Sequence, residues 1–271
     1  MFINLKKSFK KYFLNKGDKE KVSSFLLTSN YLCGGFENKR ILEVGSGVGS
    51  LIRNMSKNFQ PKEAIGIDPT SSPTIISDNC RIEKSDIRNS SFESGYFDVI
   101  ISNFAFEHIL NLDVALSEMY RLLKKGGYLY AQWGPIWSAP HGHHLWYTSP
   151  KNLKTYNYYN VILPPFCHLL MQPDELLVIL KEKFKFTEET NSGIIDFIYN
   201  SNAQNRLFYE DYEKIINESK FKILFLKGNS SERLVNMYQN KIQPNVFEQL
   251  NFKYPDHKNF MHNGMITLLR K

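Results

Sequence analysis

The chain has 271 residues, 42% of them hydrophobic and 14% aromatic, which suits a packed core and excludes an intrinsically disordered chain. Its formal net charge is +7, yet the basic residues are mixed with Asp and Glu, and even the denser stretches, residues 6–22 and the C-terminal end, hold no Arg-rich tract. Ordinary solvated lysines account for that charge first and acidic or phosphorylated small substrates second, so no nucleic-acid partner is favoured.

No apolar run is long enough to span a bilayer, and the basic N-terminus lacks the apolar core and cleavage site of a secretory signal. Cys33, Cys80 and Cys167 are too far apart to suggest a disulfide framework or a zinc motif, so a reducing cytoplasm is the expected location. Residues 1–37 read as an N-terminal helical lid, with Leu5, Phe9 and Phe13 on one stripe at i, i+4 and i+8. From residue 38 strands and helices alternate. RILEVGSG is a buried strand entering a glycine turn, VGSLIRNMSKN a helix, EAIGIDP a second strand, CRIEKSD a third and FDVIISNF a fourth. LDVALSEMYRLLKKGG is an amphipathic helix ending in glycines, and GYLYAQWGP is a fifth strand. Such alternation predicts a parallel sheet covered on both faces.

The rhythm breaks over residues 135–200, where prolines, aromatic residues and a histidine cluster predict an inserted cap. It resumes over 201–271 with a helix in AQNRLFYEDYEKIINESK, a strand in FKILFLKGN, two short helices around Pro244 and a last strand in NGMITLLRK. Residues 38–134 and 201–271 together would form one core.

The turn in ILEVGSGVGS carries Glu43, Gly45, Ser46, Gly47 and Gly49. Glycines there let a ligand approach the backbone, and the amides of the following helix face the same point. A dinucleotide fold shares this turn and an acidic residue about 20 positions later, a role Asp68 fits. Its last fingerprint glycine is absent: starting from Gly45 that position is Ser50, and starting from Gly47 it is Ile52.

Glu-x-Gly-x-Gly-x-Gly, followed by Asp68–Pro69 at the second strand end, KSDI with Asp86 and Ile87, FDVIISNFAFEHI with Asn103, Phe104 and His108, and LLKKGGYLYAQW, resembles the motif series of class I S-adenosylmethionine-dependent methyltransferases. The resemblance implies a Rossmann-like α/β sheet, mostly parallel with an antiparallel last strand and helices on both faces. It implies S-adenosylmethionine as cofactor and S-adenosylhomocysteine as product. Asp68 would take the ribose hydroxyls, Asp86 and Ile87 the adenine, and Asn103 and Phe104 the methionine part. Glu43 would either reach the ammonium group or orient the turn, and His108 would contact the cofactor or pack beneath it.

The segment APHGHHLW then leaves the fifth strand at the carboxyl edge of the sheet, where open α/β sheets bind ligands. His141, His143, His144 and His168 are the candidates for a catalytic base or acceptor-binding donor. A divalent metal is the competing use; if one is present, His141, His143 and His144 would hold it. A structural loop is the third. The expected activity is O-methylation of a small polar acceptor, such as a capsular or surface sugar or a phosphorylated or phosphoramidate-type metabolite. RNA or other N-methylation and cofactor binding without turnover are the alternatives. A homodimer is left open.

Overall fold

A computed structural model describes residues 22–230, 238 and 242–271. Most of the expected lid, including the stripe of Leu5, Phe9 and Phe13, lies outside the described residues. The first described helix is α1 (Ser24–Leu32), followed by β1 (Arg40–Val44), α2 (Ser50–Asn58), β2 (Glu63–Asp68), β3 (Thr74–Ser77), β4 (Cys80–Lys84) and β5 (Phe97–Asn103). Next come α3 (Leu112–Leu122) and β6 (Leu123–Trp133). The following segment holds a hairpin of β7 (Trp146–Thr148) and β8 (Thr155–Asn157), then α4 (Cys167–Leu170), α5 (Pro173–Ile179) and α6 (Glu188–Tyr199). The chain returns to the sheet through α7 (Tyr209–Asn217), β9 (Lys222–Asn229), α8 (Asn245–Lys253) and β10 (Gly264–Arg270).

The main sheet runs β3-β4-β2-β1-β5-β6-β10-β9. Pairs β4–β2, β2–β1, β1–β5 and β5–β6 are parallel, and β10 is antiparallel to both β6 and β9. This is the mostly parallel sheet with an antiparallel last strand that the motif series implies. The short antiparallel edge strand β3 has no counterpart in the sequence reading.

Strand geometry explains why both faces are covered. Ile41 and Leu42 are neighbours in β1 and point to opposite sides. Ile41 joins Phe25 and Leu26 of α1 and Ile52 and Met55 of α2, whereas Leu42 joins Leu116 and Met119 of α3 and Tyr212 and Ile216 of α7. Both are 0% exposed, and each such burial contributes about 1.5–3 kcal/mol. The buried residues of α3, Leu112, Ala115, Leu116, Met119 and Leu122, follow helical spacing and define its sheet-facing stripe.

The segment between β6 and α7 has an apolar cluster of its own, with Leu145, Val161 and Leu163 packed on Leu176, Leu180, Ile194 and Ile198. The helix expected to begin near Ala203 starts only at Tyr209. Tertiary hydrogen bonds hold the preceding residues out of helical conformation. Asn205 N donates to the Glu107 carbonyl at 2.9 Å, and Asn205 Nδ2 donates to the carbonyls of Phe106 and Ile109 at 2.7 and 3.1 Å. That detour brings residues 202 and 203 against the turn after β5. Among the described residues no helix is long and apolar enough to cross a membrane.

Candidate active site

The carboxyl ends of β1, β2, β4 and β5 open into a cleft of about 410 Å³, within the range of small-molecule sites. Its floor is the turn after β1. Gly45, Gly47 and Gly49 all have positive φ, and two of them are also hemmed in. A Cβ on Gly45 would lie 2.2 Å from that of Ala105, and one on Gly49 would lie 2.0 Å from Ile82 Cδ1. The turn can therefore sit this close to β4 and β5 only with glycine.

Asp68 ends β2 on one wall. Its Oδ2 accepts from Gly47 N at 3.1 Å and its Oδ1 from Thr70 N and Oγ1 at 2.8 and 2.6 Å. The carboxylate thus braces the turn and still lines the cleft, beside Pro69 and Thr70. Asp86 and Ile87, just after β4, line the same space. Arg88 grips Asp86 through its side chain at 2.6 Å and its backbone N–H at 2.9 Å. These bonds hold the Asp86 carboxyl below its ordinary pKa. An adenine amine placed here would share Asp86 with that guanidinium.

Phe104, in the left-handed region at φ 55°, turns into the cleft and stays 54% exposed. Asn103 Oδ1 is buried without a hydrogen-bond partner. Asn103 does not line the cleft; two carboxylates at neighbouring strand ends, a glycine turn and an exposed aromatic ring do suit an adenosyl ligand that carries no phosphate. Glu43 and Ser46 are buried under the turn rather than on the cleft wall. Burial, with a smaller contribution from the Asp68 charge, raises Glu43 well above its ordinary pKa, and a bond from the Ile52 backbone opposes this. Asp98, away from this cleft, accepts from Arg40 N at 2.9 Å and Lys124 Nζ at 2.6 Å and ties β5 to its neighbours.

Replacing Asp68 by Asn is expected to weaken S-adenosylhomocysteine binding by about 10- to 100-fold, the equivalent of one charge-assisted hydrogen bond lost. Calorimetric titration checks this; an unchanged affinity would remove Asp68 from the ribose site.

The histidines divide. His141, His143 and His168 are buried, each with under 10% exposure, inside the segment after β6 and do not line this cleft. His168 Nε2 pairs with the Trp137 carbonyl at 2.7 Å, and the His141 ring lies between Tyr158 and Tyr238. Burial lowers His141 to about 4 and His168 to about 3. His143, also desolvated, falls well below its ordinary value.

Only His144 of the sequence cluster reaches the cleft rim, where its ring meets that of His108 at 4.8 Å between centroids. The metal set expected from sequence, His141, His143 and His144, is not brought together. Among the described residues the convergent group is Glu107, His108 and His144. His144 sits at φ 47° in a tight turn whose N–H bonds back to the His141 carbonyl.

Glu107 was not singled out from sequence, although it precedes His108 in FEHI. Its Oε1 accepts from Gly134 N at 3.1 Å, and burial pushes its carboxyl up to about 8. His108 Nδ1 pairs with the Ala203 carbonyl, which leaves Nε2 as the free nitrogen of a cleft-lining ring.

A family model described as a methyltransferase domain matches residues 42–131, the stretch from β1 through most of β6 that supplies most of the cleft lining. The chain is 32% identical over 99 residues to sterol 4-C-methyltransferase of Caenorhabditis elegans, covering 34% of this chain and 30% of that protein. It is 30% identical over 104 residues to demethylmenaquinone methyltransferase of Bacteroides fragilis, covering 35% and 42%. The matched stretches thus span less than half the length of these relatives. In structure it resembles an S-adenosylmethionine-dependent methyltransferase of Mesorhizobium loti, with a TM-score of 0.51, 12% identity, and coverage of 92% and 98%. A glycine turn and acidic strand ends lie where the motif series puts them, and the stretch that carries them, residues 42–131, matches a methyltransferase domain.

Proposed function

We propose that the chain transfers a methyl group to an oxygen of a small polar acceptor that enters the cleft beside His108. The observation that carries this reading is the tethered ring of His108. With Nδ1 committed to the Ala203 carbonyl, the Nε2 lone pair is available to a hydroxyl in the same cleft. When bound, S-adenosylmethionine supplies an electrophilic methyl group on a sulfonium centre. Asp68 would hold its ribose, Asp86 and Ile87 its adenine, and the turn from Gly45 to Gly49 its amino-acid end. Phe104, Ala105, Asn202 and Ala203 line the cleft near His108. These residues orient an acceptor for in-line transfer, which is the main catalytic gain in a direct displacement. A hydroxyl acceptor must also lose its proton, and His108 with its neighbour His144 is placed to help remove it.

The dispersed positive charge of the chain favours an acceptor that is anionic or rich in hydroxyls, such as a sugar or a phosphorylated metabolite. A second reading is C-methylation, favoured by what the relatives' names state: one acts on a sterol and the other on demethylmenaquinone. The family match ends at residue 131, before the segment that closes the acceptor side, so the likeness it records is to the donor half.

Incubation with methyl-labelled donor and separate panels of sugars, phosphorylated metabolites, sterols and reduced quinones tests the choice. The label is expected on oxygen of a sugar or phosphorylated acceptor. Label on carbon of a ring acceptor would replace this reading with the second, and donor binding without transfer to any panel would favour a non-catalytic role.

A further inference from the structure

At the rim of the donor cleft Glu107, His108 and His144 meet from two distant parts of the chain. One potential ligand atom of each lies within 4.8 Å of the other two. Each side chain retains an unused electron pair. Glu107 commits Oε1 to Gly134 N, while its Oε2 is buried with no partner. His108 commits Nδ1 to the Ala203 carbonyl, which leaves Nε2. His144 Nδ1 is buried with no partner. Glu107 is 1% exposed, and among the described residues no ion pair reaches it. An unpaired carboxylate oxygen in such a place is costly unless a cation or a donor meets it. His144 also holds a left-handed backbone at φ 47°, a strain that persists where the surroundings impose it and that gathers at functional sites.

We propose that Glu107, His108 and His144 form a binding site for one divalent transition-metal ion, held through Glu107 Oε2, His108 Nε2 and His144 Nδ1. Two imidazoles and one carboxylate suit Zn²⁺, Co²⁺ or Fe²⁺ better than Mg²⁺ or Ca²⁺, which favour all-oxygen sets. Metal–ligand bonds of about 2.0–2.2 Å require the three atoms to draw together by roughly 1 Å, a matter of small side-chain rotations. The outer partners are of the kind such sites use. A ligating histidine ordinarily donates its second ring N–H to a carbonyl, as His108 does to Ala203, and a ligating carboxylate is itself hydrogen-bonded, as Glu107 is to Gly134.

Three protein ligands leave open positions beside the cleft that His108 lines. An acceptor hydroxyl taking one of them would be acidified at neutral pH. The hydroxyl proton then passes to solvent, the acceptor oxygen forms the new bond to the methyl carbon, and the pair of the broken carbon–sulfur bond stays on sulfur. This role rests on the O-methylation reading; the ion binding does not.

The full chain, stripped with a chelator and returned to chelator-free buffer, is titrated calorimetrically with Zn²⁺ and, separately, followed by visible absorption on adding Co²⁺. One equivalent of each ion is expected to bind. His144→Ala and Glu107→Gln are each expected to weaken Zn²⁺ binding by about 100-fold or more, at or above the largest effect of altering an outer partner. The control His257→Ala changes nothing. Glu107 is buried and its variant can lose the fold, so His108→Ala, at an exposed position, supplies the same reading independently, with S-adenosylhomocysteine affinity and the melting curve as checks on folding. Absence of a one-to-one complex, or binding that survives both histidine substitutions, overturns the site. An ion bound as described with methylation only on carbon would overturn the O-methylation reading and leave the metal site standing. Turnover on oxygen in a chain that binds no ion would do the reverse.

Discussion

Replacing His108 by Ala is expected to lower kcat on the true acceptor by about 10²- to 10⁴-fold, the usual contribution of a positioned acid–base group. S-adenosylhomocysteine affinity should change by less than about threefold, a shift of under 1 kcal/mol. The expectation rests on the ring's position. It lines the cleft, its Nδ1 is tied to the Ala203 carbonyl, and His144 stands edge-on beside it at 4.8 Å between ring centroids. A ring held at one nitrogen and free at the other works on the acceptor through that free lone pair, whether it takes the proton or holds an ion that acidifies the hydroxyl. Single-turnover kinetics and a calorimetric titration together check this. Parallel losses of donor affinity and rate would mean that His108 only packs beneath the donor.

The second large effect concerns stability in mild acid. His141 and His168 are desolvated in the segment after β6, with pKa values of about 4 and about 3. In the unfolded chain both titrate near 6.5. As pH falls below that value the unfolded state takes up protons that the folded state refuses, so the stability present above about pH 6.5 declines toward the folded pKa values. Each group contributes a slope of about 1.4 kcal/mol per pH unit, so both together remove roughly 4 kcal/mol by about pH 5. Against the 5–15 kcal/mol typical of a domain, that loss moves the urea midpoint visibly. His141→Phe, which keeps a ring between Tyr158 and Tyr238, should reduce the slope by about one proton's worth, or 1.4 kcal/mol per pH unit. A midpoint independent of pH between about 7.5 and 5 would show that these imidazoles are hydrated or charged in the native state.

The donor side was legible because its signals are local. Glycines at 45, 47 and 49 fall directly after a β-branched and aliphatic run, Asp68 ends its strand and Asp86 follows the next parallel one. Parallel strands connected by short crossovers bring consecutive carboxyl ends to one edge, so order along the chain becomes order in space. The antiparallel last strand followed from the motif series in the same way. Edge strand β3 was less legible because its pairing with β4 involves a register irregularity between Ile75 and Ser77 and a half-exposed sequence without clear alternation. The late start of α7 was hidden by Asn205, whose bonds to the turn after β5 outweigh local helical preference.

On its own, the amino-acid sequence determined the sheet class and the acidic and glycine residues at the strand ends, since continuous apolar strand runs and strand-end turns are properties of short segments. It also showed that imidazoles gather after the fifth strand. Which of them meet was decided only by tertiary structure. Of three histidines that are close neighbours along the chain, His141 and His143 are buried in the segment after β6 while His144 meets His108 at the cleft rim. His144's partners, Glu107 and His108, come from the turn after β5, more than thirty positions earlier. That contact depends on how the segment after β6 folds back on the sheet, a long-range packing result that no local periodicity encodes.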